Sequence, residues 1–338
     1  MDVKKIFRVR QILLIPVLIT LMLCFSCSRQ QQDIFTITYL TPWPKNAYDS
    51  NNFVNYIEEI QKEADQQYPG EIEFIYKGGP EVVHSSEQVE ACRKGVVSML
   101  LAAPSYYSSV MPELDLLGLT SMKPWEQRET GLFEYLDELH NEKTNTHYLG
   151  QPGIGVPFQM HLSKPIESAE DLNGMKLRVS PTNNPFMKAV DGVPVVMPTS
   201  DIYTAMERGV VEGFVLPAYT AKDFGLVKVT DYLVFPGLYY PTNSWLINLD
   251  TWNSLPEYLQ DFLLEKAEEY EYLNFSRIAE RHATEMEFFR QEGVTIIELD
   301  SAEAEKLIKI AREALIAAVR EKSPEETDRI LSFIEKEK

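Results

Sequence analysis

The sequence predicts an α/β protein built from two lobes, and three observations support this prediction. Apolar strand-like segments alternate with helix-like segments, a pattern typical of a sheet covered by helices. The length of 338 residues exceeds what one compact core usually holds and suits two lobes of about 150 residues each. A Gly- and Pro-rich stretch at 150–157 separates two series of strands. We expect the chain to pass from one lobe to the other at this stretch.

The first 26 residues have the features of a secretory signal peptide. Four basic residues stand before position 11, and an apolar segment at 12–23 is too short to span a bilayer comfortably as a permanent helix. The Ser26-Cys27 pair that follows resembles the lipobox of bacterial lipoproteins, in which the cysteine is lipidated and becomes the new N-terminus. Cys24 stands where such boxes usually carry Leu, so ordinary secretion with cleavage nearby is the alternative. We expect a signal peptide at 1–26 and a lipid anchor at Cys27.

The mature chain is strongly acidic. Losing four basic residues and one Asp with the signal peptide moves the formal net charge from -19 to about -22. Such a surface excludes nucleic acid as a general partner, so binding of any anion requires a local cationic pocket. With Cys27 lipidated, Cys92 has no disulfide partner, and its helical spacing with Val89 and Val96 predicts a small core residue.

The first lobe is predicted to begin with a strand, a helix and a second strand, followed by a further helix and strand. These elements are Phe35–Leu40, Asn52–Gln67, Ile72–Tyr76, Ser86–Lys94 with Ser86 as N-cap, and Val96–Ala102. The alternation predicts a parallel sheet. Loops that follow the strands of such a sheet are where ligand clefts form.

The second lobe is predicted from the strand series after the crossing. Its elements are the strands Val156–Leu162, Met175–Val179, Val193–Met197 and Gly213–Leu216, and a helix from Ser200 to Arg208. The segment 243–249 predicts a strand that returns to the first lobe. Pro256–Gln291 keeps a helical pattern for longer than a common domain helix and is expected to brace both lobes.

These elements give the predicted domain boundaries. Lobe 1 is expected to comprise residues 34–155 with about 244–283. Lobe 2 is expected to comprise residues 156–243 with about 284–338.

Arg178 is the most informative single residue. It lies between Leu177 and Val179 in an apolar strand, where a guanidinium needs an anionic partner or several acceptors. That partner is either a ligand or a structural carboxylate such as Asp201 or Glu207.

Several short motifs occur in an order that resembles the solute-binding subunits of TRAP (tripartite ATP-independent periplasmic) transporters. The central pattern is Glu170-Asp171-Leu172-Asn173-Gly174-Met175-Lys176-Leu177-Arg178-Val179, a Pro-Val-Val-Met strand at 194–197, Asp201-Ile202-Tyr203-Thr204-Ala205-Met206 and Gly209-Val210-Val211-Glu212-Gly213. Gly78-Gly79-Pro80-Glu81, the segment 94–99 and Trp252-Asn253-Ser254-Leu255-Pro256 also fit. The resemblance covers most of the mature chain and agrees with the secretion signal.

The resemblance implies a periplasmic-binding-protein-like fold with a cleft between two lobes and a long bracing C-terminal helix. It further implies a periplasmic or cell-surface receptor that captures a small organic acid and delivers it to a small and a large membrane permease subunit. No cofactor or metal is implied. Arg178 matches the family's carboxylate-binding arginine, and its planar fork suits two parallel hydrogen bonds to a carboxylate.

Three positions depart from the family's common acid-binding site. Phe158-Gln159 replaces a second arginine, Leu216 lies in the segment where many members carry an asparagine, and Thr199 replaces an aromatic residue. Most of these changes are toward apolar groups. We therefore expect a monocarboxylate with an apolar body, and a neutral hydrophobic ligand is the alternative.

Three further residues are candidates for the cleft because they follow predicted strand ends or lie at a lobe crossing. Trp43 and Tyr106 would suit an apolar ligand body, with lobe packing as the alternative role. Asn243, like the neighbouring Trp245, is expected to contact either the ligand or the hinge.

Enzymatic chemistry has little support in the sequence. The five histidines lack metal-ligand spacing, and neither a nucleophile elbow nor a phosphate loop occurs. The second functional class is a lipoprotein that keeps the binding fold but acts as an adaptor or as a receptor for a sensor. Its docking face would use acids of the C-terminal helices such as Glu268, Glu269, Glu303 and Glu305, whose ordinary role is a solvated helix face.

Overall fold

The computed structural model describes residues 34–153 and 155–335, so the predicted signal peptide and Cys27 lie outside the described residues. The strands are β1 Phe35–Leu40, β2 Ile72–Gly78, β3 Met99–Ala102, β4 Thr146–Gly150, β5 Gln159–Leu162, β6 Lys176–Val179, β7 Val193–Val196, β8 Gly213–Leu216, β9 Tyr232–Phe235, β10 Ser244–Asn248 and β11 Thr295–Glu298. The helices are α1 Tyr48–Gln67, α2 Gln88–Arg93, α3 Pro124–Thr130, α4 Leu132–Thr144, α5 Asn184–Ala189, α6 Ile202–Glu207, α7 Ala218–Ala221, α8 Leu249–Ser254, α9 Glu257–Gln291, α10 Ser301–Arg320 and α11 Pro324–Ile334.

The strands form two sheets. The first has the order β2-β1-β3-β10-β4, and the second has the order β11-β9-β5-β8-β6-β7. In the first sheet, β1 pairs in parallel with β2 and β3, and its residues Ile37, Tyr39 and Leu40 are buried. In the second, β6 pairs in parallel with β7 and β8.

The parallel pairing predicted for the first strands of lobe 1 is confirmed for β1, β2 and β3, but each sheet as a whole is mixed. β10 runs antiparallel to β3 and β4, and β5 runs antiparallel to β8 and β9. β5 and β10 follow the short connections from β4 to β5 and from β9 to β10, which pass between the sheets. A short connection starts the next strand beside the ends of its neighbours, so β5 and β10 run in the opposite direction. β11 instead arrives through the 35-residue helix α9 and pairs in parallel with β9.

The apolar run Val193–Met197 predicts a buried strand; the strand is confirmed as β7, but its predicted burial is wrong. β7 is the edge strand of the second sheet, and Val193 and Val196 are 41% and 56% exposed. β7 is nevertheless held in the sheet by its parallel pairing with β6, in which Arg178 lies opposite Val195. The predicted strand at Val96–Ala102 is also shorter, because Gly95 adopts a φ of +70° in a turn and Val96 is exposed.

The helix α9 packs against the cores of both sheets, as predicted. Its first half contributes apolar residues to the core of the first sheet, and its second half contributes Met286 and Phe289 to the core of the second sheet. The residues of the first half are Leu259, Phe262, Leu263, Ala267 and Tyr270.

The cysteine of α2 belongs to the protein core. Cys92 is fully buried with its Sγ 3.7 Å from the carbonyl oxygen of Ser98, which confirms its predicted place in the core. Burial raises the pKa of this thiol to about 12.

Across residues 34–153 and 155–335, we find no helix whose length and apolar character would let it cross a bilayer.

Candidate functional site

A cavity of about 300 Å³ lies where strands of both sheets end. From the first sheet, its wall includes Trp43 after β1 and Tyr106 after β3. From the second sheet, it includes Arg178 of β6 and Leu216 of β8. The position agrees with the general rule that α/β clefts form beyond the carboxyl ends of strands, and the volume suits a small molecule.

Arg178 enters this wall as a buried cation. Its side chain donates through Nε to the Met197 carbonyl oxygen at 3.0 Å and through Nη2 to Oγ1 of Thr199 at 3.3 Å, while Nη1 lies 3.5 Å from the Val215 carbonyl oxygen. All three acceptors are neutral, and Arg178 is only 3% exposed.

A structural carboxylate does not neutralise Arg178. Among the described residues no carboxylate lies within 4.0 Å of its guanidinium, and the alternative partners Asp201 and Glu207 form no ion pair with it. Burial lowers the pKa of Arg178 to about 10, an effect that the nearby Tyr106 and Asp201 only partly offset. The guanidinium is therefore an uncompensated positive charge beside the cavity.

Trp43 and Tyr106 form an aromatic pair on the wall. Nε1 of Trp43 donates to the hydroxyl of Tyr106 at 3.2 Å, and the ring centroids are 6.4 Å apart in an edge arrangement. The main-chain oxygen of Trp43 accepts bonds from the hydroxyls of Thr41 and Ser50 at 3.0 and 2.9 Å, which holds the loop after β1 in place. The pair thus presents a preorganised aromatic surface.

The structure brings seven of the eight predicted ligand-contact residues to the cavity. These are Trp43, Tyr106, Phe158, Arg178, Thr199, Leu216 and Asn243. Trp245 instead lies in the core of the first sheet, where it packs edge-on against Phe53 and Tyr270.

Gln159 is the exception among the predicted contacts, because it does not line the cavity. Its side chain is fully buried, and its Oε1 accepts a hydrogen bond from the backbone N–H of Ala218 at 3.1 Å. Phe158 and Gln159 are consecutive on an extended segment, so their side chains point to opposite faces. Phe158 reaches the cavity, and Gln159 supports the first residue of α7.

Two acidic residues on the wall, Asp49 and Asp115, were not predicted from the sequence. Asp49 is 7% exposed, with Oδ2 at 3.5 Å from the Tyr219 hydroxyl and no hydrogen-bond partner for Oδ1. Burial, reinforced by the charge of Asp223, raises the pKa of Asp49 to about 7. In a chain with 51 acidic residues most acids are expected on the solvated surface, so acidic character alone does not mark a cavity residue. The one sequence signal was that Asp115 is flanked by Leu114, Leu116 and Leu117.

A protein-family model matches most of this chain. The family model described as DctP, bacterial extracellular solute-binding protein, family 7, matches residues 45–322. The chain belongs to this family. The predicted two-lobe α/β fold is also that of TRAP periplasmic solute-binding proteins. Proteins of this DctP family are solute receptors and not enzymes.

Individual relatives of this DctP protein are distant in sequence but cover much of its length. A solute-binding protein of Sulfitobacter sp. strain NAS-14.1 is 24% identical over 263 residues, which cover 75% of this chain and 76% of the relative. A monocarboxylate 2-oxoacid-binding periplasmic protein of Nostoc sp. is 26% identical over 65% of this chain and 62% of its own length. A TRAP solute-binding protein of Desulfovibrio salexigens, solved with bound orotic acid, superposes with a TM-score of 0.78 at 18% identity, covering 90% of this chain and 98% of that one.

Proposed function

We propose that this protein is the extracytoplasmic receptor of a TRAP transporter and that it captures a small monocarboxylate with an apolar body through Arg178. The observation that carries this proposal is the buried guanidinium of Arg178, which faces the cavity and has only neutral acceptors around it. An arginine that is isolated from protein carboxylates in this way gains a partner when an anionic ligand binds.

The rest of the wall supports an apolar ligand body. Phe158 and Leu216 supply apolar surface, and Trp43 and Tyr106 supply aromatic rings. The Nostoc relative is named for binding monocarboxylate 2-oxoacids, and the Desulfovibrio structure holds orotic acid. Both names are consistent with an acid as the ligand.

Capture uses closure of two lobes. In this proposal residues 34–155 with about 244–283 form one lobe, and residues 156–243 with about 284–338 form the other. Closure removes water from the ion pair between the ligand and Arg178 and so strengthens it. A lipid on Cys27 keeps the receptor at the membrane that contains the small and large permease subunits.

Calorimetric titration of the purified protein with small acids tests the proposal. Suitable probes are pyruvate, benzoate, orotate and the dicarboxylate succinate, with benzamide as the neutral counterpart of benzoate. We expect a monocarboxylate to bind, benzamide to bind more weakly than benzoate, and Arg178→Met to cost about 2–5 kcal/mol of binding free energy. Arg208→Met, at an exposed arginine, is the matched control.

Two results would contradict the proposal. Equal binding of benzoate and benzamide, unaffected by Arg178→Met, would favour a neutral hydrophobic ligand. Absence of acid binding, together with no ligand-induced compaction in small-angle scattering, would favour the adaptor or sensor class.

A further inference from the structure

One carboxylate oxygen of Asp115 accepts a hydrogen bond from the described part of the protein, and the other does not. Asp115 lies in the 3₁₀ segment Pro112–Leu119 and lines the cavity. Oδ1 accepts a hydrogen bond from Oγ1 of Thr182 at 2.6 Å. Among the described residues no donor bonds Oδ2, and Asp115 is partly exposed. An acceptor at the wall is thus available to a ligand.

The position of this acceptor is rigid. Leu114, Leu116 and Leu117 are all buried, so the backbone on both sides of Asp115 is anchored in the core. Thr182 follows β6 by three residues, and β6 carries Arg178. The hydrogen bond from Thr182 therefore links the acidic group to the same segment that presents the cation. Rigid placement of two charged groups is what selective recognition requires.

The charged side chains on the cavity wall do not favour a ligand that carries only a negative charge. The aspartate and arginine side chains there are Arg178, Asp49 and Asp115, and the wall also includes the imidazole of His84. If both aspartates are ionised, a bound monocarboxylate adds a second uncompensated negative charge to the cavity. A ligand that also carries a protonated nitrogen adds no net charge and gives one aspartate a partner.

Asp115 is better placed than Asp49 to meet such a nitrogen. Oδ1 of Asp49 has no hydrogen-bond partner but is closed off from solvent, and its other oxygen faces Tyr219. Burial also raises the pKa of Asp115 to about 6, an effect that the hydrogen bond from Thr182 and the charge of Lys322 only partly offset. A cationic group of the ligand would supply the missing solvation.

We infer that Asp115 is a second ligand-binding residue and that the preferred ligand is a zwitterion, whose carboxylate pairs with Arg178 and whose protonated nitrogen donates to Oδ2 of Asp115. This inference rests on the proposed function, since it assumes that the ligand's carboxylate binds at Arg178. It narrows the ligand class from monocarboxylates in general to amino acids whose nitrogen is separated from the carboxylate by an apolar spacer.

Matched ligand pairs test the inference directly. Each pair replaces an ammonium group by a methyl group at constant size: β-alanine with butyrate, γ-aminobutyrate with valerate, δ-aminovalerate with caproate, and para-aminomethylbenzoate with para-ethylbenzoate. The panel varies the spacer because the nitrogen must reach Oδ2 of Asp115 from a fixed carboxylate. In calorimetric titration we expect the amino acid to bind at least about tenfold more tightly than its partner in one or more pairs.

Three variants test whether Asp115 causes the preference for the amino acid over its methyl-bearing partner. Asp115→Asn should remove the preference for the amino acid while the methyl-bearing acid still binds. Thr182→Val, which removes only the hydroxyl that holds Oδ1, should reduce the preference in part. Asp49→Asn removes the same charge from the wall without the proposed contact and should reduce the preference less than Asp115→Asn does. Equal losses in the two aspartate variants would overturn the assignment to Asp115.

The outcomes for the inference and for the proposed function are separate. If the methyl-bearing acids bind as tightly as the amino acids in every pair of the wild-type protein, the inference is wrong, while binding that still depends on Arg178 leaves the proposed function in place. If no member of the panel binds in a manner that depends on Arg178, the proposed function itself is wrong. The wild-type comparison decides the first question even if a variant fails to fold.

Discussion

The backbone N–H of Tyr48, the first residue of α1, donates a hydrogen bond to Oδ2 of Asp223 over 2.9 Å. The other oxygen of Asp223 accepts from Arg281 of α9 at 2.5 Å. The Arg281 guanidinium also lies 4.2 Å from the centre of the Tyr48 ring. Asp223 therefore joins three segments at one point beside the cavity: the start of α1, the chain after α7 and the middle of α9.

Replacing Asp223 should loosen this junction. We expect Asp223→Asn to enlarge the radius of gyration of the ligand-free protein and to weaken ligand affinity several-fold, because part of the binding energy must then bring these three segments back together. Small-angle scattering and calorimetry measure the two effects. Asp231→Asn, at an exposed aspartate, is the control. Unchanged scattering and affinity in Asp223→Asn would show that the junction does not hold the lobes together.

Arg178 should lower the stability of the ligand-free protein, even though we propose that it binds the ligand. Its pKa is lowered because burial is not offset by any carboxylate within ion-pair distance among the described residues. We expect Arg178→Met to raise the free energy of unfolding of the ligand-free protein by about 1–3 kcal/mol. Urea denaturation measures this change, and Arg208→Met should leave the midpoint unchanged. A loss of stability in Arg178→Met would mean that its three hydrogen bonds outweigh the cost of burying the charge.

Asp49 should make stability depend on pH in a defined direction. Its pKa is about 7 in the folded protein and about 3.9 in an unfolded chain. The folded state therefore holds the proton more tightly, so the stability that this group contributes is fully present below about pH 4 and is lost as the pH rises through 7. We expect Asp49→Asn to gain stability relative to wild type between pH 5 and pH 8, by up to about 3 kcal/mol. Denaturant midpoints of both proteins at the two pH values measure this gain, and a constant difference would contradict it.

The pair Arg128 and Glu271 should be a strong structural contact. Glu271 is 1% exposed, with Oε2 at 2.5 Å from Nη1 of Arg128 and Oε1 at 2.5 Å from the backbone nitrogen of Gln151. We expect Arg128→Ala to cost about 3–5 kcal/mol of stability at pH 8, because it leaves a buried carboxylate without its cation.

The cost of Arg128→Ala should be smaller at pH 5. Burial raises the pKa of Glu271 to about 7 even with Arg128 present, so at pH 5 the lone group is protonated and neutral. Chemical denaturation at the two pH values checks this difference. Arg93→Ala, which breaks an exposed ion pair with Glu90, is the control and should have a much smaller effect. Equal effects of the two substitutions would contradict the structural role.

The parts of the site that could be predicted are those that local sequence determines. Arg178 is recognisable because a charged residue inside an apolar strand is unusual, and Trp43 and Tyr106 because they follow strands at their carboxyl ends. Gln159 was predicted to line the cavity because Phe158-Gln159 stands where the family's common acid-binding site has a second arginine. Strand alternation sends the two side chains to opposite faces, and the choice between them depends on which face the sheet presents.

Asp115 could not be found from local sequence because its role depends on distant partners. The hydroxyl that holds it belongs to Thr182, which lies 67 residues away in sequence. In the same way, the direction of β10 follows from the passage between the sheets and not from its own apolar pattern. Local periodicity predicts that a strand exists, while its neighbours decide whether it is buried, as the exposed edge strand β7 illustrates.

The position of β10 in the first sheet also constrains the order in which the protein can be completed during synthesis. β10 lies between β3 and β4 and is the link by which β4 joins the first sheet. β4 therefore has no neighbouring strand in that sheet until residues 244–248 have been made, by which time β5 to β9 of the other sheet already exist. The first sheet cannot be completed before residues 244–248 are synthesised. A chain truncated before β10 should therefore remain incompletely folded and sensitive to proteases.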